Sequence, residues 1–239
     1  MHPLHSILFL DIETVSQYPD FSELPESWKG LWTKKSEQLL KNKDDQTAES
    51  IYGRSSIYAE FGKIICISCG IISGTGSSKK LLIKSFSGDN EPEILSSFCD
   101  MLSKWSADST RYLCAHNGKE FDYPYICRRM VINDVCIPSV LSISGKKPWE
   151  VNHLDTMELW KFGDYKSYTS LNLLAHVLGI PTPKDDIDGS MVGEVYWNTG
   201  DIKRIASYCQ KDVITLTQIY LRLTRESLIQ PENIEIKVN

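Results

Sequence analysis

The sequence predicts an α/β domain, and three observations carry that expectation. A short apolar run near the N-terminus, Leu4 to Ile12, ends abruptly in carboxylates. Two β-rich runs follow, Ile64 to Ile72 and Lys80 to Phe86, separated only by a Gly/Ser turn. Beyond them, helix-spaced and strand-like segments alternate, and alternation of this kind is the pattern of layered α/β domains.

The first run reads as a buried strand, because a short, partly β-branched apolar run bounded by polar residues fits a central sheet position. From Val15 to about Ser56 the composition turns polar and Lys-rich, with a helical pattern at Trp28, Leu31, Trp32, Leu39 and Leu40. This segment is expected to be a helical insertion, residues 16–56, packed on the domain. The turn Ser73-Gly74-Thr75-Gly76-Ser77-Ser78 marks a hairpin, so three adjacent antiparallel strands are expected. Ile94, Leu95, Phe98, Met101, Leu102 and Trp105 have the spacing of an amphipathic helix over Glu91 to Trp105. A strand over Arg111 to Ala115, a turn at His116-Asn117-Gly118 and a helix from about Phe121 to Val131 come next. The remainder predicts a short strand near Leu154, a helix near Ser170 to Leu178, a Pro/Asp-rich loop from Pro181 to Asp188 and a last helix from Asp201 to about Arg225.

A chain of 239 residues with 41% hydrophobic and 24% charged residues is long enough for one sizeable core, which excludes disordered and collagenous classes. Lys plus Arg number 26 against 31 Asp plus Glu, a net charge of −5, which argues against a lysine-coated polyanion binder but leaves a local nucleic-acid site open. No apolar run approaches the ~20 residues that cross a bilayer, and Met1-His2-Pro3-Leu4-His5-Ser6 lacks the basic region of a signal peptide. Seven cysteines, an odd number spread through regular segments, fit reduced thiols better than a disulfide framework. A cytoplasmic protein is expected.

Three constellations carry chemistry. In Asp11-Ile12-Glu13, at the end of the first strand, the two carboxylates point to one face. Unpaired anions beside Leu8 and Leu10 require a lysine, an arginine or a divalent metal, unless the strand has simply reached solvent. Asp122, in Asn117-Gly118-Lys119-Glu120-Phe121-Asp122, follows a strand-to-helix turn, where an ordinary helix cap is a complete alternative. In the last helix Tyr208 and Asp212 are four residues apart, on a stripe with Ile205 and Leu216 that normally excludes a carboxylate. If Asp11, Glu13, Asp122 and Asp212 converge at one end of the sheet, four oxygen donors suit Mg²⁺ or Mn²⁺; zinc prefers His and Cys, taken to be absent from these spots. Two such ions ~3.5–4 Å apart can activate water and stabilise the attacking and leaving oxygens of a phosphodiester. Tyr208 is placed to orient the attacking water.

Asp11-Ile12-Glu13-Thr14, Asn117-x-x-x-Phe121-Asp122 and Tyr208-x-x-x-Asp212, in this order, resemble the three motifs of the DEDD superfamily of 3′→5′ exonucleases. The tyrosine points to its DEDDy branch, and the set is most similar to the proofreading exonuclease domain of family B DNA polymerases. Ser170 to Ala175 through Leu178-Gly179-Ile180, ahead of Lys184 and Asp185, resembles the stretch preceding the third motif. The resemblance implies a ribonuclease H-like α/β fold, a mixed five-stranded sheet flanked by helices, in one exonuclease domain over residues 1–239. It implies Asp11, Glu13, Asp122 and Asp212 as ligands of two Mg²⁺ or Mn²⁺ ions, with Asp11 bridging them and Tyr208 holding the nucleophilic water. Thr14, Asn117 and Phe121 would contact the terminal nucleotide. The implied substrates are 3′ ends of single-stranded DNA, in preference to RNA. Fourteen residues follow Arg225, so a polymerase or repair partner is expected to act in trans, and no membrane partner is expected.

Other features receive plainer readings. Cys66-Ile67-Ser68-Cys69 lies inside an apolar strand without a second pair, so core thiols are expected rather than zinc. His116 is read as structural, since Tyr208 fills the role of the histidine in the sister branch. Arg128-Arg129 and Gly145-Lys146-Lys147-Pro148-Trp149 are the local basic candidates, with Trp149 able to stack on a base. The rival function is a catalytically silent nucleic-acid-binding or scaffolding module of the same fold, against which all four carboxylates count. An endonuclease of ribonuclease H type is disfavoured by Tyr208-x-x-x-Asp212.

Overall fold

The computed structural model describes residues 2–41, 45–107, 110–164, 166–182 and 187–237. Strand β1 (Ile7–Ser16) leads to helix α1 (Glu26–Leu40), and β2 (Gly62–Ser73) and β3 (Lys80–Ser87) form a hairpin. Helix α2 (Glu91–Trp105), β4 (Tyr112–Ala115) and α3 (Asp122–Ile132) follow, then β5 (Leu154–Asp155), α4 (Thr156–Lys161), α5 (Leu171–Val177), α6 (Val192–Thr199), α7 (Ile202–Leu223) and β6 (Ile234–Lys237).

The sheet is mixed and has six strands in the order β5-β4-β1-β2-β3-β6, rather than the five expected. β1, β2 and β3 are the three antiparallel neighbours anticipated; β4 runs parallel to β1, and β5 parallel to β4. The extra strand is β6, parallel to β3 from Leu81 to Lys84. Ile234-Glu235-Ile236-Lys237 alternates as a strand does, but over only four residues that are largely exposed. Backbone pairing and the Lys80–Glu235 ion pair at 2.9 Å hold it on the edge of β3. Gln218 of α7 prepares that return by exchanging two hydrogen bonds, at 2.7 and 3.0 Å, with the backbone of Ile229.

Alternation along β1 divides the core. Leu8, Leu10 and Ile12 pack with Leu95, Phe98, Tyr123 and Ile126 of α2 and α3. Ile7 and Phe9 pack with Val213, Leu216 and Tyr220 of α7. Asp11 and Glu13 continue this second register, so they are delivered to the side of the sheet that α7 covers. α7 lies close: a Cβ on Gly70 of β2 would stand 3.1 Å from Val213 Cγ1.

Residues 16–56 hold α1 and a satellite cluster of their own, in which Leu24, Trp32, Ile51 and Tyr52 pack with Phe61. Trp32 is fully buried and donates its indole N–H to Ala48 O at 2.7 Å. The Tyr125 hydroxyl of α3 donates to Ser56 O at 2.7 Å, joining this segment to the sheet domain. Among the described residues no helix is long and apolar enough to cross a membrane.

Candidate active site

Asp11 and Glu13 stand opposite Ser68 and Cys66 of β2, and the register of the β1–β2 pairing shifts between Glu13 and Thr14. A bulge there bends the strand where its carboxylates end. Glu13 is 7% exposed and Asp122 is 4% exposed. Asp122 is the first residue of α3, and Phe121 before it provides no side-chain cap. Instead of capping in the ordinary way, the Asp122 carboxylate accepts the backbone N–H of Ile12 as well as its own. That bond ties the start of α3 to β1 between the two acids. On α7, the Tyr208 hydroxyl hydrogen-bonds the Asp212 carboxylate, and the negative charges of Asp212, Glu13 and Asp11 all bear on it. The five residues expected to carry the chemistry are therefore brought together.

The electrostatics of the cluster are those of crowded, buried carboxylates. Burial, then Asp212, then Asp122 hold the Asp11 carboxyl well above the usual carboxylate range. Burial and then Asp11 and Asp212 do the same to Glu13, and burial pushes Asp122 up to about 7. Buried carboxylates held side by side favour the protonated form, and the charges acting most strongly on Asp11 and Glu13 are other anions. An oxygen-rich set of this kind fits a hard divalent cation.

One donor departs from expectation. Cys209, next to Tyr208, places its Sγ within 4.8 Å of one carboxylate oxygen each of Asp11 and Glu13. The thiol donates to Asp11 O and Oδ2, both at 3.4 Å. Cysteine is therefore present at this spot, contrary to the sequence reading. Burial raises its pKa well above the ordinary value, and as a neutral thiol it braces Asp11. Cys66 and Cys69 are buried free thiols.

The second motif is built on a left-handed residue. Asn117 has φ of 63°, a conformation asparagine tolerates better than most residues, and a Cβ on Gly118 would lie 2.4 Å from Ala115 Cβ. Sequence reasoning missed what holds this turn. The buried carboxylate of Asp155 accepts the backbone N–H of Asn117 at 2.9 Å, Lys119 at 3.2 Å, Met157 at 2.9 Å and Glu158 at 3.4 Å. It also missed Tyr168, whose hydroxyl lies 3.0 Å from Asn117 Oδ1 and 2.7 Å from Glu120 Oε2. An Asp closing the short strand expected near Leu154, directly before a helix, was the available signal. Phe121 packs its ring on Tyr125 at 5.3 Å. Both ring nitrogens of His116 are engaged, Nδ1 with Thr156 Oγ1 at 2.9 Å and Nε2 with Thr169 O at 2.8 Å.

Thr14 hydrogen-bonds Tyr125 and lines a cleft of about 740 Å³ between residues 16–57 and α6. Gly189, also in its wall, has a Cβ position 3.9 Å from the Tyr208 hydroxyl, so the cleft opens beside the carboxylates. Of the basic candidates, Arg129 is withdrawn: it is 3% exposed and donates Nε to Glu91 Oε1 at 2.8 Å and Nη1 to Ala59 O at 2.8 Å. Lys184 and Asp185 lie outside the described residues.

Comparison with known proteins agrees with this arrangement. A family model described as a predicted 3′-5′ exonuclease related to the exonuclease domain of PolB matches residues 56–234. The match contains Asp122, Tyr208 and Asp212, and begins after Asp11 and Glu13. The fold is similar to that of the family B DNA polymerase from the hyperthermophilic archaeon Pyrobaculum calidifontis, with a TM-score of 0.53 at 15% identity over 93% of this chain. This chain spans 25% of that polymerase. No curated protein matches it.

Proposed function

This chain belongs to the family of predicted 3′-5′ exonucleases related to the exonuclease domain of PolB, and from that premise we propose that it removes nucleotides from the 3′ ends of single-stranded nucleic acid, DNA in preference to RNA. The observation that carries the reading is the convergence of Asp11, Glu13, Asp122 and Asp212, in which burial and the other carboxylates hold Asp11 and Glu13 well above the usual carboxylate range. The relation to a DNA polymerase domain supports DNA. We further take residues 1–239 as one exonuclease domain with 16–56 as its insertion, acting in the cytoplasm, with any polymerase or repair partner in trans.

Asp11, Glu13, Asp122 and Asp212 would hold two divalent cations, Mg²⁺ or Mn²⁺, with Asp11 shared between them. When bound, such ions polarise a phosphoryl oxygen and lower the pKa of water. The side chains do the rest. Tyr208, kept neutral by burial and then by its anionic neighbours, orients the attacking water by its hydroxyl. Asp212, as its hydrogen-bond partner, fixes where that hydroxyl points. Asn117 hydrogen-bonds the terminal nucleotide, Phe121 packs against it, and Thr14 meets it at the mouth of the 740 Å³ cleft.

Digestion of matched 5′-labelled DNA and RNA strands with Mn²⁺ tests this reading. A ladder shortening from the 3′ end is expected, faster on DNA, while a circular single strand stays intact. Cutting of the circle at a comparable rate would replace the exonuclease with an endonuclease. Strand binding without any cleavage would favour the silent binding module.

A further inference from the structure

A second pocket, of about 420 Å³, is lined by Lys119, Arg128 and Lys146 around an apolar floor that includes Ile137, Leu141 and Val151. Its cations come from three separate segments: the turn before α3, α3 itself and the loop after it. None of its lining residues is acidic. That is a local inversion in a chain of net charge −5. The 740 Å³ cleft, in contrast, combines Arg54 with Asp20 and Glu194. Lys119 pairs with Glu158 at 2.8 Å, whereas neither Arg128 nor Lys146 forms an ion pair among the described residues. Trp149, two residues from Val151, is 75% exposed with Lys147 Nζ 5.2 Å from its ring.

The pocket reaches the turn of the second motif through Lys119. Lys119 shares the turn that presents Asp122, and Arg128 is six residues further along α3, about 9 Å down the helix axis. Cations over an apolar floor, with an exposed aromatic ring beside them, are the chemistry of a groove that tracks a phosphate backbone while bases stack. A terminal nucleotide brings no phosphate beyond the one being cleaved, so it has no use for three further cations. The strand that continues away from the cleaved bond does. We propose that this pocket binds the single strand on the 5′ side of the scissile phosphate, with Arg128, Lys146 and Lys119 on its phosphates and Trp149 against a base. The acidic cleft is left to the end that carries no further phosphate. This inference rests on the exonuclease reading and deepens it.

Kinetics on a dinucleotide and a twelve-nucleotide strand with Mn²⁺ test it, together with binding of the longer strand under chelation. The wild-type KM should be lower for the twelve-mer. In the Arg128→Ala/Lys146→Ala variant the ratio of the two KM values should shrink by roughly tenfold, as should Trp149→Ala, within the range of one stacked base. The slope of log binding constant against log salt should become shallower by about 1.4 in the double variant, two single-strand phosphate contacts at ~0.7 each. Arg128→Lys should retain most of the wild-type ratio. Folded variants with unchanged ratio and slope would overturn the proposal. A wild type that cleaves neither substrate, yet binds the long strand more tightly than the double variant does, would fail the exonuclease reading and leave this site standing.

Discussion

At the scale of single residues, the site crowds acids whose charges raise the pKa values of Asp11 and Glu13, and activity and stability should therefore trade against each other. Asp11→Asn removes one charge from the repulsion among Asp11, Glu13, Asp122 and Asp212 while keeping an oxygen to accept from Cys209. Without divalent cation its Tm is expected to rise, by about 2–4 °C for each kcal/mol relieved in a chain of this size, while nuclease activity is lost. Calorimetry beside a digestion assay checks both; a lower Tm would mean that the acids are neutralised by other means. Tyr208→Phe keeps the ring and deletes the hydroxyl that meets Asp212. It should lower kcat by about 10²-fold, the lower end of what a positioned proton-handling group contributes, with little change in KM. Single-turnover rates with saturating strand read that split directly.

At the scale of elements, the second motif is only as good as the β5–α4 junction behind it. Asp155→Ala would leave four buried or half-buried N–H groups to find other partners, at about 1–3 kcal/mol for each one that stays unsatisfied. A loss of roughly 3 kcal/mol in urea unfolding is expected, with activity falling further than stability because Asn117 and Lys119 lose their anchor. Beside it, His153 joins β4 to the loop at Val140, accepting Leu113 N–H at 3.2 Å and meeting Val140 O at 2.8 Å. Burial lowers its pKa. A group whose folded pKa is depressed favours the fold above its unfolded value, about 6.5, and the contribution drains as pH falls below that. Tm measured from pH 7 down to pH 5 should fall less steeply in His153→Gln than in wild type, and equal slopes would remove His153 from the account. The sequence exposed some of these elements and hid others, for physical reasons. β1, α2 and α7 were legible because a central strand and two amphipathic helices bury long, regular apolar stripes. β5 was anticipated as a short strand near Leu154, whereas β6 was not, since a four-residue, largely exposed edge strand is held mainly by backbone pairing to β3. Asp155 and Tyr168 escaped because their partners are backbone groups and a residue 51 positions away. Arg129 shows the opposite error: read as a surface cation, it is a buried partner of Glu91.

At the scale of the whole molecule, the topology explains why four acids scattered over two hundred residues meet. β1 lies between β2 and β4, so the end of β1 faces both the helix entered from β4 and the long α7 that crosses β1 and β2. α3 and α7 arrive from opposite layers at one strand end. The family match begins at residue 56, after most of the 16–56 segment. That segment walls the larger cleft through Asp20, Gly53, Arg54 and Ser56, and so shapes access to the site without supplying its acids. The acidic balance of the chain, −5 overall, is compatible with a nuclease: part of the negative charge is gathered at the site, and the smaller pocket, lined by Lys119, Arg128 and Lys146, holds no acidic residue. The most direct measurement is release of mononucleotides from a 3′-labelled single strand by wild type, Asp11→Ala and Asp212→Ala, with Mn²⁺ and with chelator. The account predicts release of the labelled mononucleotide only by wild type with Mn²⁺. Undiminished release by either variant, or by wild type in chelator, would contradict it.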